Sequence, residues 1–132
     1  MKPFLIATCA LLLSACASGP QTSVNYTYNE IRIVNNTAQP VSGLRLSQPV
    51  SGLEIDCGDI TPLGQCQQFF GRRPYQPGPY QLDWAVADGP RQTTQVDVNI
   101  AGYNAHGIPL YLEIGIGENA ALTARFVQKT PR

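Results

Sequence analysis

After Ala17 no stretch of this chain repeats its apolar residues at helical spacing. Apolar and polar residues alternate instead, in short runs rich in Val, Ile, Leu, Tyr and Thr that Gly, Pro, Asn and Asp interrupt. Successive side chains of an extended strand point to opposite faces, so each run reads as a strand with one face to bury. Residues 30–34 alternate, and Asn35-Asn36-Thr37-Ala38-Gln39-Pro40 turns the chain. Residues 41–46 return with Leu44 and Leu46 on one face, Ser47-Gln48-Pro49 interrupts, and 53–57 alternate again. Residues 64–70 make the next strand, before a proline- and glycine-rich crossing over 72–79. The clearest run is 80–86, which puts Tyr80, Leu82, Trp84 and Val86 on one face; Asp88-Gly89-Pro90 turns it into a hairpin with 94–100. A less regular stretch, 101–109, leads to a last pair, 110–116 and 121–128, around Gly117-Glu118-Asn119-Ala120. Seven or eight such strands over about a hundred residues predict an all-β fold, an antiparallel β-sandwich of the immunoglobulin-like kind.

The N-terminus has a different texture. Met1-Lys2-Pro3 is a short basic start, residues 4–13 are apolar apart from Thr8, and Ser14-Ala15-Cys16 follows, the layout of a secretory signal. The apolar run is too short for a membrane-spanning helix, which needs about 20 residues. Leu13-Ser14-Ala15-Cys16 resembles the lipobox of bacterial lipoproteins. The resemblance covers the signal and anchor only. It implies cleavage before Cys16, a diacylglyceryl group on its thiol and a further acyl chain, of the palmitate type, on the new amino group. Acyl chains contribute about 0.8 kcal/mol per buried methylene, so two or three of them hold a protein on a membrane permanently. Ala17 stands where lipoproteins of this type carry an aspartate for inner-membrane retention, which implies an outer-membrane, periplasm-facing address. Residues 16–28 then read as the lipidated cysteine and a flexible polar tether, and 29–132 as the sandwich domain.

Cleavage would leave 117 residues, enough for one domain, with eight basic side chains against nine acidic ones. So even a balance gives no electrostatic case for nucleic acid, which draws proteins with clustered positive charge. Of the four cysteines, Cys9 would leave with the signal and Cys16 would take the lipid. Cys57 and Cys66 remain, and in an exported small domain such a pair reads as a disulfide. It closes a loop of about ten residues, worth about 2–3 kcal/mol by chain entropy. Zinc would want four ligands, and the single histidine, His106, cannot complete such a set, so no metal or other cofactor is expected.

His106 falls within 101–109 and reads as a solvated loop residue, because histidine catalysis needs a partnered nucleophile or carboxylate and no Gly-x-Ser-x-Gly elbow is present. Glu54, Asp56 and Asp59 around Cys57, and Asp97 between Val96 and Val98, alternate with apolar residues and read as outward, solvated positions. No calcium-loop or phosphate-cradling glycine pattern occurs. The most suggestive segment is 67–75, where Phe69, Arg72, Arg73 and Tyr75 form a candidate contact patch for a protein or for the carboxylates and sugars of peptidoglycan. Its simpler reading sends Phe69 or Phe70 into the core and leaves the arginines to solvate a sheet edge. Trp84 reads as a core residue.

The domain layout is similar to that of small lipoprotein sandwiches without assigned activity. The resulting expectation is a membrane-anchored, non-catalytic binding or accessory module of the cell envelope, partnered by an envelope protein or peptidoglycan. An inhibitor of a lysozyme-like hydrolase, presenting the 101–109 loop with His106, is the alternative; a cell-wall hydrolase lacks a catalytic pair.

Overall fold

The computed structural model describes residues 26–98, 100 and 110–129. The signal segment with Cys16, and the 101–109 loop with His106, lie outside the described residues. Eight strands follow one another as β1 (Thr27–Asn35), β2 (Val41–Gln48), β3 (Leu53–Ile60), β4 (Gln65–Pro74), β5 (Tyr80–Val86), β6 (Arg91–Val96), β7 (Leu110–Ile116) and β8 (Leu122–Gln128). They form two four-stranded sheets, β4-β1-β7-β8 and β3-β2-β5-β6. The alternation in the sequence thus folds as expected into an all-β sandwich of eight strands. One pairing departs from the antiparallel pattern: β1 and β7 run parallel. That pairing is compatible with their long separation in sequence, since parallel neighbours need a crossover and five strands lie between these two.

The inward faces bury Tyr28, Ile31 and Ile33 of β1 and Leu112 and Ile114 of β7 against Leu44, Leu46, Leu82 and Trp84 of the second sheet. Trp84 is a core residue, as its place on the apolar face of β5 indicates, and its indole Nε1 is buried with no hydrogen-bond partner among the described residues. The Tyr28 and Tyr80 hydroxyls meet at 2.9 Å and link the two sheets through the core. Burial and that mutual bond push the Tyr80 phenol far above its ordinary range, and burial pushes Tyr28 up as well, so both stay neutral.

Several boundaries differ from the sequence expectation: β2 runs on through Ser47 and Gln48, expected to interrupt it, and β3 runs on to Ile60. β1 begins at Thr27, so the expected tether gives its last residues to the fold; Tyr26 and Tyr28 are buried and pack on the Phe126 ring at 5.8 and 5.6 Å. β4 continues through Gly71 to Pro74 by bulging: Tyr28 pairs with Arg73 and Glu30 with Phe69, leaving Phe70, Gly71 and Arg72 opposite Asn29. The strand lies at a sheet edge, where a proline removes no ladder bond. β6 spans Arg91–Val96 rather than 94–100, because the polar Arg91, Gln92 and Thr93 register against Ala85, Trp84 and Asp83 of β5. Apolar alternation cannot reveal a strand start made of polar residues.

Cys57 and Cys66 form a disulfide between β3 and β4, the edge strands of the two sheets. The strand directions sort the loops into two ends. The chain enters β1 at one end, with the 49–52 and 75–79 connections; 36–40, 61–64, 87–90 and 117–121 lie at the other. The nine residues of β1 span about 30 Å between them.

Candidate functional site: the outer face of the β4-β1-β7-β8 sheet

A register shift between Tyr28 and Ile31 turns Glu30 outward while keeping Tyr28 and Ile31 in the core. Arg32 and Val34 follow on the same outward face. Glu30 is nevertheless only 1% exposed. Its neighbours cover it: Arg32 Nε and Gln67 Nε2 each donate to Oε2 at 2.6 Å, and Lys129 Nζ lies 2.9 Å from Oε1. Lys129 also donates to Asn29 Oδ1 at 2.6 Å. Burial alone would push the Glu30 carboxyl up; the bonds from Arg32, Lys129 and Gln67 together outweigh it and hold the group below the usual carboxylate range. The same carboxylate holds the Arg32 guanidinium above its ordinary value.

The two cations that cover Glu30 each meet an aromatic ring. The Arg32 guanidinium lies 3.9 Å above the centre of Tyr111, and Lys129 Nζ lies 5.6 Å from the centre of Phe69. Phe69 itself is 67% exposed. Farther along the face, Arg125 Nε and Nη2 both donate to Glu113 Oε1, at 3.0 and 2.9 Å. The half-buried Val34 and Val127 complete a surface of aromatic, aliphatic and cationic groups. Long cationic side chains usually roam; here the buried carboxylate fixes two of them, Arg32 over Tyr111 and Lys129 beside the exposed Phe69.

The candidate contact patch is divided by this geometry. Phe69 joins the face just described, and the exposed Arg72 sits in the β4 bulge. Arg73 turns to the chain-entry end, where its Nη2 donates to the Ser51 carbonyl at 3.3 Å and its guanidinium lies 5.9 Å from the Phe70 ring. Tyr75 is half-buried, with its ring 5.2 Å from Phe126 and its N–H on the Tyr26 carbonyl at 2.8 Å; burial raises its phenol. Phe70 packs inward against Tyr28 at 5.5 Å. Lys129 takes the place beside Phe69 that the sequence reading gave to Arg73 and Tyr75, with Arg32 and Tyr111 farther across the same sheet face. Lys129 lies sixty positions from Phe69, so only tertiary folding brings them together.

The opposite face, on β3-β2-β5-β6, contrasts with it. Glu54, Asp56, Asp59 and Asp83 stand at solvent there with Arg45 and Arg91; alternation around Cys57 accounts for Glu54 and Asp56, and the register irregularity at Gly58 separates Asp59 from that pattern. Arg45 faces Asp56 at 3.8 Å with both side chains about two-thirds exposed, and Arg91 Nη2 lies 3.2 Å from Asp83 Oδ1. Arg45, Glu54, Asp56, Gln81 and Asp83 line a shallow depression of about 340 Å³. Among the described residues no three of His, Cys, Asp and Glu gather as a metal site.

No family model matches the chain, and no curated protein is similar to it at a significant level. Among solved structures, the NMR structure of a protein from Eubacterium rectale is similar with a TM-score of 0.47 at 15% identity, over 86% of this chain and 100% of that one. A likeness that distant carries no inference.

Proposed function

We propose that this protein is a lipid-anchored, non-catalytic module of the bacterial envelope that docks on an envelope protein through the outer face of the β4-β1-β7-β8 sheet. The observation that carries the docking surface is the buried Glu30 with its fixed cations: it presents Arg32 and Lys129 in place beside the exposed Phe69 and the half-buried Tyr111. Arginine and aromatic residues held rigidly are what interfaces use as anchors, because little side-chain entropy remains to be lost on binding. A partner suited to it places an apolar side chain on Phe69 and acceptor groups over the terminal nitrogens of Arg32. The anchor rests on the likeness of Leu13-Ser14-Ala15-Cys16 to a lipobox, and the short polar segment after it keeps the domain near the membrane.

Two measurements test the reading. Growth with an alkyne-bearing palmitate should label the wild-type chain, whereas Cys16→Ser should remove the label and release the protein from the membrane fraction. Phe69→Asp should abolish co-purification of the partner from detergent extracts without changing thermal stability. Labelling that persists in Cys16→Ser would refute the anchor, and undiminished co-purification would refute the face.

A further inference from the structure

The described residues begin at Tyr26, buried at the end of the sandwich that also holds the 49–52 and 75–79 loops. Nine residues separate Tyr26 from Cys16, and even fully drawn out that stretch reaches no more than about 35 Å. An acyl anchor on Cys16 therefore keeps this end of the domain within that distance of the bilayer, whatever the far end does. So short a reach holds a surface against the membrane at an effective concentration of about a millimolar, where contacts too feeble to act alone suffice.

The two loops form one platform. Gln48, fully buried, donates from Nε2 to the carbonyls of Gln76 at 2.7 Å and Gly78 at 3.2 Å. Arg73 Nη2 reaches the Ser51 carbonyl from the β4 side. The loops approach so closely that a Cβ on Gly78 would stand 2.9 Å from Val50 Cγ1. Val50 is nevertheless 56% exposed, and Pro49, Pro77 and Pro79 are exposed around it. Proline has no N–H, so such a surface has few donors to strip of water when it settles against lipid.

Charge separates the two ends. From Ile60 to Leu82 the only charged residues are Arg72 and Arg73, beside the platform at the end of β4, and residues 46–53 hold none. The far-end loops, 36–40, 61–64, 87–90 and 117–121, carry the exposed Asp88 and Glu118 and no cation. The exposed carboxylates of the entry end, Glu54 and Asp97, belong to the second sheet's side of it. An anionic surface thus attracts the β4 side of the entry end and repels the far end.

We propose that the 49–52 and 75–79 loops are a lipid-contact site, in which Val50 and its flanking prolines settle among the headgroups while Arg72 and Arg73 meet their phosphates. The site rests on the lipid anchor proposed above, and the apolar and cationic groups add to one another as they do in interfacial binding. With the entry end down, the strands stand along the membrane normal. The β4-β1-β7-β8 face is then turned sideways, toward a neighbour on the same membrane.

The test uses the full, lipidated chain, in cells and after purification into vesicles. A photo-crosslinking benzoyl-phenylalanine replaces Val50 or, at the far end, Leu63, which is 77% exposed. Adducts are sorted by mass spectrometry into lipid and protein. Lipid adducts are expected from position 50 and none from position 63. The yield at 50 should fall about fivefold in R72E, or when phosphatidylcholine replaces a phosphatidylethanolamine and phosphatidylglycerol mixture. The melting temperature of R72E should match the wild type, since Arg72 is exposed. Equal lipid yields from both ends, protein adducts alone from position 50, or a yield indifferent to R72E and to lipid charge would overturn the site. A wild-type chain without palmitate label and outside the membrane fraction would bring down anchor and site together. A labelled, membrane-bound chain with no lipid adduct at position 50 would refute the site alone.

Discussion

The two outer faces of this sandwich bear charged side chains at similar density, but they hold them differently. On the β3-β2-β5-β6 face, carboxylates and arginines stand in solvent as exposed pairs, such as Arg45 and Asp56 at 3.8 Å. On the β4-β1-β7-β8 face one carboxylate has been buried, and three donors have been drawn over it. Exposed pairs lose nearly as much in desolvation and side-chain entropy as they gain, and contribute about 0–1 kcal/mol. A buried carboxylate must keep its partners, because losing them strands a charge. The difference teaches that charge count says little about a surface; burial of one member decides whether its neighbours are fixed or free.

Substitutions can break that contrast. Glu30→Ala should destabilise the fold by about 2–3 kcal/mol, since Arg32 and Lys129, each less than one-third exposed, lose their shared acceptor. Asp83→Ala on the other face should cost less than about 0.5 kcal/mol. Equal costs in urea unfolding would erase the distinction. Glu30→Gln keeps the shape and part of the bonding, and should cost about 1–2 kcal/mol.

Acid sharpens the same point. Because the folded protein holds Glu30 below the usual carboxylate value, its contribution is fully present above the unfolded value of about 4.3 and is lost as pH falls through the folded one. The wild type should therefore lose stability relative to Glu30→Gln as the pH drops below about 4. A constant gap between wild type and Glu30→Gln down to pH 2 would contradict the assignment. The smallest effect belongs to Arg45→Ala, whose exposed pair should leave the urea midpoint within error and whose residual effect should vanish in about 1 M salt.

Much of the architecture was legible in the chain. Short runs rich in strand-forming residues marked the strands, most of them by period-two alternation, the proline- and glycine-rich segments located most turns, and Cys57 and Cys66 formed the expected bridge. What escaped the pattern has a common physical cause. The ends of β1, β4 and β6 run through tyrosine, glycine, arginine and proline, whose strand character comes from a neighbouring ladder and not from their own propensity. Glu30 looked like an ordinary outward residue of an alternating strand. Its burial depends on Gln67 and on Lys129, at the far end of the described chain, and no local signal announces such a meeting. Of the candidate patch, Phe69 is exposed on β4 and Phe70 packs inward, while the bulge at Gly71 sends Arg73 and Tyr75 elsewhere. Two residues inserted into one strand redistribute a patch that reads as contiguous in sequence.

The central claim is that recognition belongs to the face with the fixed cations. The most direct measurement places a photo-crosslinker at Phe69 and, separately, at the exposed Thr93 on the β6 edge of the opposite face, in the membrane-associated protein in living cells. The account predicts a discrete envelope-protein adduct from position 69 that disappears when Arg32→Ala is added, and no adduct from position 93. Adducts of equal yield from both faces, or a position-69 adduct indifferent to Arg32, would contradict it.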